Sequence, residues 1–224
     1  MTVGIDATLL VLAKSPVAGR VKTRLCPPCT PEQAAAIARA AIVDTLDVAR
    51  SLARVRPVLV LDGEPGSWIP PGVAVIPQTG GDLAERLGGA FATVEGPTVL
   101  IGMDTPQLTT TMLGAAVAAL RSPRVDAILG RTIDGGWWII GLQDPHLRAF
   151  DGVPMSSATT GHAQAARLAA LGLRTRAMSV EMDVDTFADA RTVANRIPHS
   201  RFAGAVHTAA REIAIDRSNA GVRA

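Results

Sequence analysis

Short apolar runs alternate with longer, Ala-rich amphipathic stretches along the chain. Thr8-Leu9-Leu10-Val11-Leu12-Ala13 is an unbroken apolar run after Thr8 and predicts a buried strand. Pro31 to about Arg54 follows a helical pattern, with Thr30 as N-cap and Pro31 in the first turn. Pro57–Leu61 and Val73–Ile76 predict two more strands. A helix extends from Asp82, which can cap it, to about Val94. Thr98–Gly102 is a strand that ends at Met103-Asp104-Thr105-Pro106, and Thr109–Arg121 is helical. Asp126–Gly130 and Trp137–Leu142 are strands around Asp134-Gly135-Gly136. Helices over about Thr160–Leu171 and Thr186–Ile197 flank a last strand at Thr175–Val180.

Continuous apolar strands alternating with helices imply an α/β protein whose mainly parallel central sheet carries helices on both faces. Residues 1–198 form one domain in this reading, with no internal repeat and no flexible linker. Residues 199–224 are more polar, lack a strand and predict a C-terminal helical appendage with a frayed end.

The charge distribution sharpens this picture. The chain of 224 residues has 22 Lys+Arg against 20 Asp+Glu, yet only two of the cations are lysines, Lys14 and Lys22. Both fall in one segment that also holds Arg20 and Arg24, and no acid occurs between Asp6 and Glu32. A near-neutral protein with one concentrated basic segment points to a local anion site and away from a polyanion-binding surface. With four Phe, three Trp and no Tyr, a base-stacking platform for nucleic acid is disfavoured. No apolar run is long enough to span a bilayer, and the apolar stretch at Ala7–Ala13 lacks a preceding cation and the length of a secretory core, so a soluble, cytoplasmic protein is expected. Cys26-Pro27-Pro28-Cys29 has redox spacing but no thioredoxin pattern around it, and reads as a thiol-bearing loop.

In an open α/β sheet, ligands bind beyond the carboxyl ends of the strands. Three polar clusters fall there. The Lys14–Arg24 segment follows the first strand; Gly19 permits close backbone approach, and the four cations suit a di- or triphosphate, although no Walker loop is present. The alternative is a solvated basic loop. Asp104 ends a central strand and could ligate Mg²⁺, or could cap the turn before the next helix. Asp183 and Asp185 share one side of an extended segment; Asp185 could be a second metal ligand or the cap of the following helix, with Asp189 in its first turn. Asp134-Gly135-Gly136 suits a tight turn under a ligand or a plain hairpin. Gly80-Gly81-Asp82 precedes a helix whose N-terminus can accept an anion or a base edge. Ser156, Ser157, Gly161 and His162 fall in an expected loop. His146, His162, His199 and His207 lack metal-ligand spacing, and no G-x-S-x-G occurs.

The ordered set Ala13-Lys14-Ser15-Pro16, Gly19-Arg20-Val21-Lys22-Thr23-Arg24-Leu25, Gly81-Asp82-Leu83-Ala84-Glu85-Arg86, Gly102–Pro106, Asp134–Trp138 and Asp183–Thr186 resembles an uncharacterised bacterial family of glycosyltransferase-A-like (GT-A) proteins. That family lies within the nucleotide-diphospho-sugar transferase superfamily, and the resemblance covers about residues 8–195. It implies a Rossmann-like GT-A fold and a metal-dependent, nucleotide-using transferase. The implied nucleotide-binding set is Ala13, Lys14, Ser15, Gly19, Arg20, Lys22, Arg24, Gly81 and Asp82. Lys14, Arg20, Lys22 and Asp104 are the implied catalytic residues, and Asp104 and Asp185 the implied ligands of Mg²⁺ or Mn²⁺. Asp134, Gly135, Gly136, Trp137, Ser156 and Ser157 are the residues implied to face the acceptor. Three positions depart from the family pattern: Met103 for a small hydroxyl residue, Trp137 for Tyr, and Met155-Ser156-Ser157 for Trp-Ser-Thr.

A single acid at the metal strand with a late D-x-D looks more like the superfamily's nucleotidyltransferases, such as the molybdopterin and phospholactate guanylyltransferases. Nucleotidyl transfer from an NTP to a small anionic acceptor is therefore the first expectation. A glycosyltransferase with a nucleotide-sugar donor and a noncatalytic nucleotide-binding regulatory module are the alternatives. A homodimer is compatible with either enzyme.

Overall fold

The structure, a computed structural model, describes residues 5–145 and 147–222. Each apolar run forms a strand, with ends shifted by a few residues. The strands are β1 (Ala7–Lys14), β2 (Val55–Asp62), β3 (Ala74–Pro77), β4 (Thr98–Gly102), β5 (Ala127–Arg131), β6 (Trp137–Leu142) and β7 (Thr175–Ala177). The helices are α1 (Pro31–Ser51), α2 (Leu83–Ala92), α3 (Thr110–Leu120), α4 (Thr160–Ala170), α5 (Phe187–Arg196) and α6 (Arg201–Val222). The caps explain several of these boundaries. The Thr30 hydroxyl accepts from Gln33 N, and the Gln33 side chain accepts from Thr30 N, which closes a capping box at the start of α1. Asp82 and Thr109 cap α2 and α3 through their side chains.

Among the described residues the strands form one sheet in the order β3-β2-β1-β4-β6-β5-β7. β6 is antiparallel to both of its neighbours, and the other pairings are parallel. The hydrophobic pattern gives no warning of this reversal, because a strand covered on both faces reads the same in either direction. The β5–β6 connection is therefore the hairpin alternative for Asp134-Gly135-Gly136. β7 stops at Ala177, short of the expected Val180, and the chain rejoins the sheet only at a Thr132–Glu181 bridge.

Period-2 alternation divides the strand side chains between two cores. Leu9, Val11, Leu59, Val99 and Ile101 pack with Ile42 and Leu46 of α1 and Leu113 and Leu120 of α3. Leu10, Val58, Val60, Leu100 and Ile140 pack with Leu87 and Phe91 of α2 and Leu168 of α4. A third core lies on the other side of α1. There Ile37 and Ala41 meet Val193 of α5, and Phe202 and Val206 of α6. Asp44 of α1 accepts from Phe202 N and pairs with Arg201, which ties the start of α6 to α1. The third core also contains Leu25, Cys29 and Val184, all buried. It thereby holds the end of the basic segment and the Asp183–Asp185 segment together.

Residues 223 and 224, where a frayed end was expected, and His146 lie outside the described residues. No helix among the described residues is long and apolar enough to cross a membrane.

Candidate functional site

The basic segment leaves β1 at Lys14 and divides into two parts. In the outer part, Lys14 and Arg20 are exposed. The Ser15 hydroxyl donates to the Glu64 carbonyl (2.8 Å), and Arg20 N closes a turn on Val17 O (3.0 Å). Gly19 has a φ of 76° in that turn and no neighbour near where a Cβ would sit, so it serves the turn and makes no close approach. In the inner part, Val21 and Leu25 are buried and a 3₁₀ turn covers Thr23–Leu25. Lys22 starts that turn in the left-handed region (φ 49°, ψ 38°), an uncommon conformation for a side chain other than Gly, Asn or Asp.

Lys22 is the residue the two acid segments meet. Its Nζ lies 2.5 Å from Asp104 Oδ1 and also donates to the carbonyl of Val184. Its side chain is 9% exposed, against 47% for that of Asp104. Arg24 pairs with Asp185 at 3.1 Å, in the open. Neither Asp104 nor Asp185 is a cap. Thr109 and Thr186 cap α3 and α5, and Asp189 completes the Thr186 capping box. The helix-cap alternative for Asp185 is thus removed, and both carboxylates face one cleft.

That cleft has two compartments. One, of about 420 Å³, is lined by Ala13, Lys14, Arg20, Lys22, Arg24, Gln78 and Arg86 together with Asp104 and Asp185. The other, of about 340 Å³, has an apolar floor of Leu12, Leu87, Leu100, Trp137 and Met155, and a polar rim of Asp134, Asp183, Ser156 and Ser157. Asp104, Asp185, Arg24 and Ser156 line both, so the two carboxylates stand at the junction. Asp183 lies deeper. Burial first, then the neighbouring Asp104 and Asp134, push its carboxyl up to about 8, with Asp185 adding to the rise and Lys22 opposing it.

Several expected residues do structural work. Asp82 accepts from Glu85 N (2.9 Å) as the α2 cap, and Gly81 N donates to Glu85 Oε2 (2.7 Å); neither lines the two compartments. Ser15 and Gly19 also stay outside them, Ser15 lining an adjoining hollow of about 450 Å³ beside Lys14 and Arg20. Gly135, at φ 95°, is where the hairpin packs under the Ser156–Ser157 loop, since a Cβ there would meet Ala158 O at 1.9 Å. Gly136, which lines the apolar compartment, donates to Asp134 Oδ1 (3.1 Å). Ser157 shares a hydrogen bond with Thr159 (2.9 Å). Gly161 and His162 are in α4, not in a loop; Gly161 N donates to Gly135 O (2.8 Å), which draws the helix onto the hairpin.

Arg86, Asp183 and Thr105 are among the cleft residues outside the expected set. Arg86, one turn beyond the Asp82 cap, reaches the basic compartment and donates to Gln78 Oε1 (3.4 Å), while Gln78 Nε2 donates to Ala13 O (2.8 Å). The i,i+4 spacing from the cap was the available signal. Asp183 shares one side of its segment with Asp185, and the sequence marks no separate task for it. Thr105 lines the apolar compartment, is 1% exposed, and its hydroxyl has no partner among the described residues. Nothing in the sequence marks it.

Asp104 and Asp185 offer hard oxygen donors of the kind Mg²⁺ and Mn²⁺ take. Among the described residues no group of three His, Cys, Asp or Glu is placed to hold a metal. Two carboxylates fit an ion that completes its shell with water and substrate phosphate, the usual habit of Mg²⁺ in nucleotide sites.

Residues 35–157 match the model of a family described as an uncharacterized protein conserved in bacteria, DUF2064. The chain belongs to the DUF2064 family. The matched span contains Asp104, Asp134 and Ser156, and not the basic segment or Asp185. The DUF2064 chain shares its fold with a Desulfovibrio desulfuricans G20 protein provisionally described as a nucleotide-diphospho-sugar transferase: 23% identity, TM-score 0.83, over 93% of this chain and 97% of that one. It is more distantly similar to a CMP:2-keto-3-deoxy-manno-octonic acid synthetase complexed with CTP, at 14% identity and TM-score 0.56 over 86% and 98% of the two chains. A cytidylyltransferase from Leptospira borgpetersenii serovar Hardjo-bovis gives 15% identity and TM-score 0.55 over 94% and 96%. No curated protein matches the sequence. At these identities the likeness establishes the shared α/β fold and leaves the reaction to the site.

Proposed function

We propose that this DUF2064 protein transfers a nucleotidyl group from an NTP to a small acceptor, aided by a divalent metal. The observation that carries the reading is the division of the cleft: Lys14, Arg20, Lys22 and Arg86 line one compartment only, Asp134, Trp137 and Ser157 line the other only, and Asp104 and Asp185 stand where the two meet. Lys14, Arg20 and Arg24 complement the triphosphate and the charge that develops on the pyrophosphate leaving group. Arg86 extends this row, and Gln78 steadies it. Asp104 and Asp185 would hold Mg²⁺ or Mn²⁺, which when bound neutralises charge on phosphate oxygens. The acceptor lies on Trp137 and Met155, within reach of Ser156 and Asp134.

An anionic acceptor meets a difficulty here. Asp104, Asp134 and Asp185 line its compartment, with Arg24 as the one cation among the described lining residues. A neutral, hydroxyl-bearing acceptor complements that lining better. The test is pyrophosphate release from each NTP with Mg²⁺, using panels of phosphorylated and unphosphorylated acceptors. Release that requires an acceptor supports the reading. Turnover of a sugar nucleotide, with no pyrophosphate from any NTP, would overturn it.

Glycosyl transfer is the second reading, and it is favoured by the fold shared with the Desulfovibrio desulfuricans protein described as a nucleotide-diphospho-sugar transferase. A regulatory module instead requires nucleotide binding that survives Asp104→Ala and no turnover.

A further inference from the structure

Lys22 has a partner that a nucleotide-binding lysine does not need. Its ammonium is pressed onto Asp104 Oδ1 and the Val184 carbonyl, largely out of solvent, while the same side chain lines the basic compartment. The backbone beneath it is fixed. Buried Val21 and Leu25 lie on either side, and Leu25 N closes a turn on Lys22 O at 2.9 Å. Only the flexible stem is left to move the charge, from Asp104 on one side to the compartment on the other.

Resting on the reading above, we propose that Lys22 occupies the cation position at Asp104 until a nucleotide arrives, and so makes divalent-metal binding conditional on nucleotide binding. A metal ion and an ammonium that share one carboxylate repel each other. In the absence of nucleotide the tethered ammonium has the advantage, because it also holds the Val184 carbonyl and needs no dehydration of a hard ion. A triphosphate in the basic compartment gives Lys22 a second set of oxygens and adds negative charge at the junction. The ammonium then shifts to phosphate, and Asp104 is released to the metal. Lys22 is in this account a positioning residue for the metal, and metal and nucleotide each raise the other's affinity, as linkage requires.

The test is Mn²⁺ binding, read as loss of the free-ion electron paramagnetic resonance signal, with and without nucleotide. The nucleotide is whichever of ATP, CTP, GTP and UTP gives the largest thermal shift. Lys22→Gly removes the ammonium at a left-handed position that glycine adopts without strain, and Lys22→Met is the second variant in case Lys22→Gly loosens the turn. The wild type should bind Mn²⁺ weakly alone and at least tenfold more tightly with nucleotide. Both variants should bind Mn²⁺ alone about tenfold more tightly than the wild type, lose most of the gain from nucleotide, and bind nucleotide more weakly. Opposite shifts for the two ligands are not the mark of general damage to the fold. Equal Mn²⁺ affinity of wild type and variants overturns the proposal, as does tight Mn²⁺ binding by the wild type alone; both outcomes leave the transferase reading standing. A wild type that binds none of the four nucleotides with Mn²⁺ overturns the reading and the proposal together.

Discussion

The outer and inner halves of the basic segment have similar chemistry and opposite mechanical situations. Lys14 and Arg20 project from an exposed turn whose backbone is closed by local hydrogen bonds. Val21 to Cys29 is pinned by Leu25 and Cys29 in the third core, and its cations are committed: Lys22 to Asp104, Arg24 to Asp185. A basic residue in a loop is therefore not one kind of object. The outer cations meet an incoming phosphate directly, while the inner ones must first leave the acid segments they hold.

Leu25→Ala should break the comparison most severely. It empties a fully buried position that joins the basic loop to α1 and Val184, and should cost roughly 2–5 kcal/mol of stability, read by denaturant unfolding. Cys29 provides the next largest effect. Burial first, then Cys26, pushes its thiol up to about 11 from 9.0. Alkylation at neutral pH should be about a hundredfold slower than for an unperturbed thiol, and should accelerate as pH approaches 11. The linkage has the same sign: the folded state holds the proton more firmly, so this contribution to stability is intact below pH 9 and lost as pH rises from 9 to 11. Rapid labelling of Cys29 at pH 7.5, set at about physiological pH, would mean that the inner half is not anchored.

Lys14→Ala probes the outer half. It should weaken nucleotide binding by roughly 10- to 100-fold, the value of one hydrogen bond to a charged group, with Tm unchanged. A fall in Tm with affinity intact would reverse the assignment of the two halves. Arg24→Ala should have the smallest effect on stability, about 0–1 kcal/mol by thermal unfolding, because its ion pair with Asp185 is exposed.

The sequence made much of the sheet readable where an apolar run is bounded by sharp punctuation. Thr98–Gly102 and Trp137–Leu142 coincide with β4 and β6, because glycine or acidic residues mark an edge of each. Thr30, Asp82 and Thr109 were readable as caps because the hydroxyl or carboxylate that precedes an amphipathic run has a local task. The direction of β6 was not readable, since burial on both faces erases the alternation that would distinguish it. Nor was the packing of α6. Its polar composition predicts a helical appendage and does not mark Phe202 and Val206, which reach a core shared with α1 and α5. In the site, the strand-end positions of Lys14 and Asp104 followed from topology. The Lys22–Asp104 pairing did not, because it depends on a backbone conformation and a third core that sequence spacing does not encode. Thr105 and Arg86 enter the cleft only once α2 and β4 are set side by side.

The third core has a consequence for how the molecule breathes. Helices α5 and α6, the Leu25–Cys29 stretch and Val184 bury one shared surface, so their amides should open together and exchange with solvent as one cooperative unit. A ligand that bridges the basic compartment and Asp185 would raise the cost of that opening. Protection from exchange should then spread to α6, along a helix that touches neither compartment of the cleft.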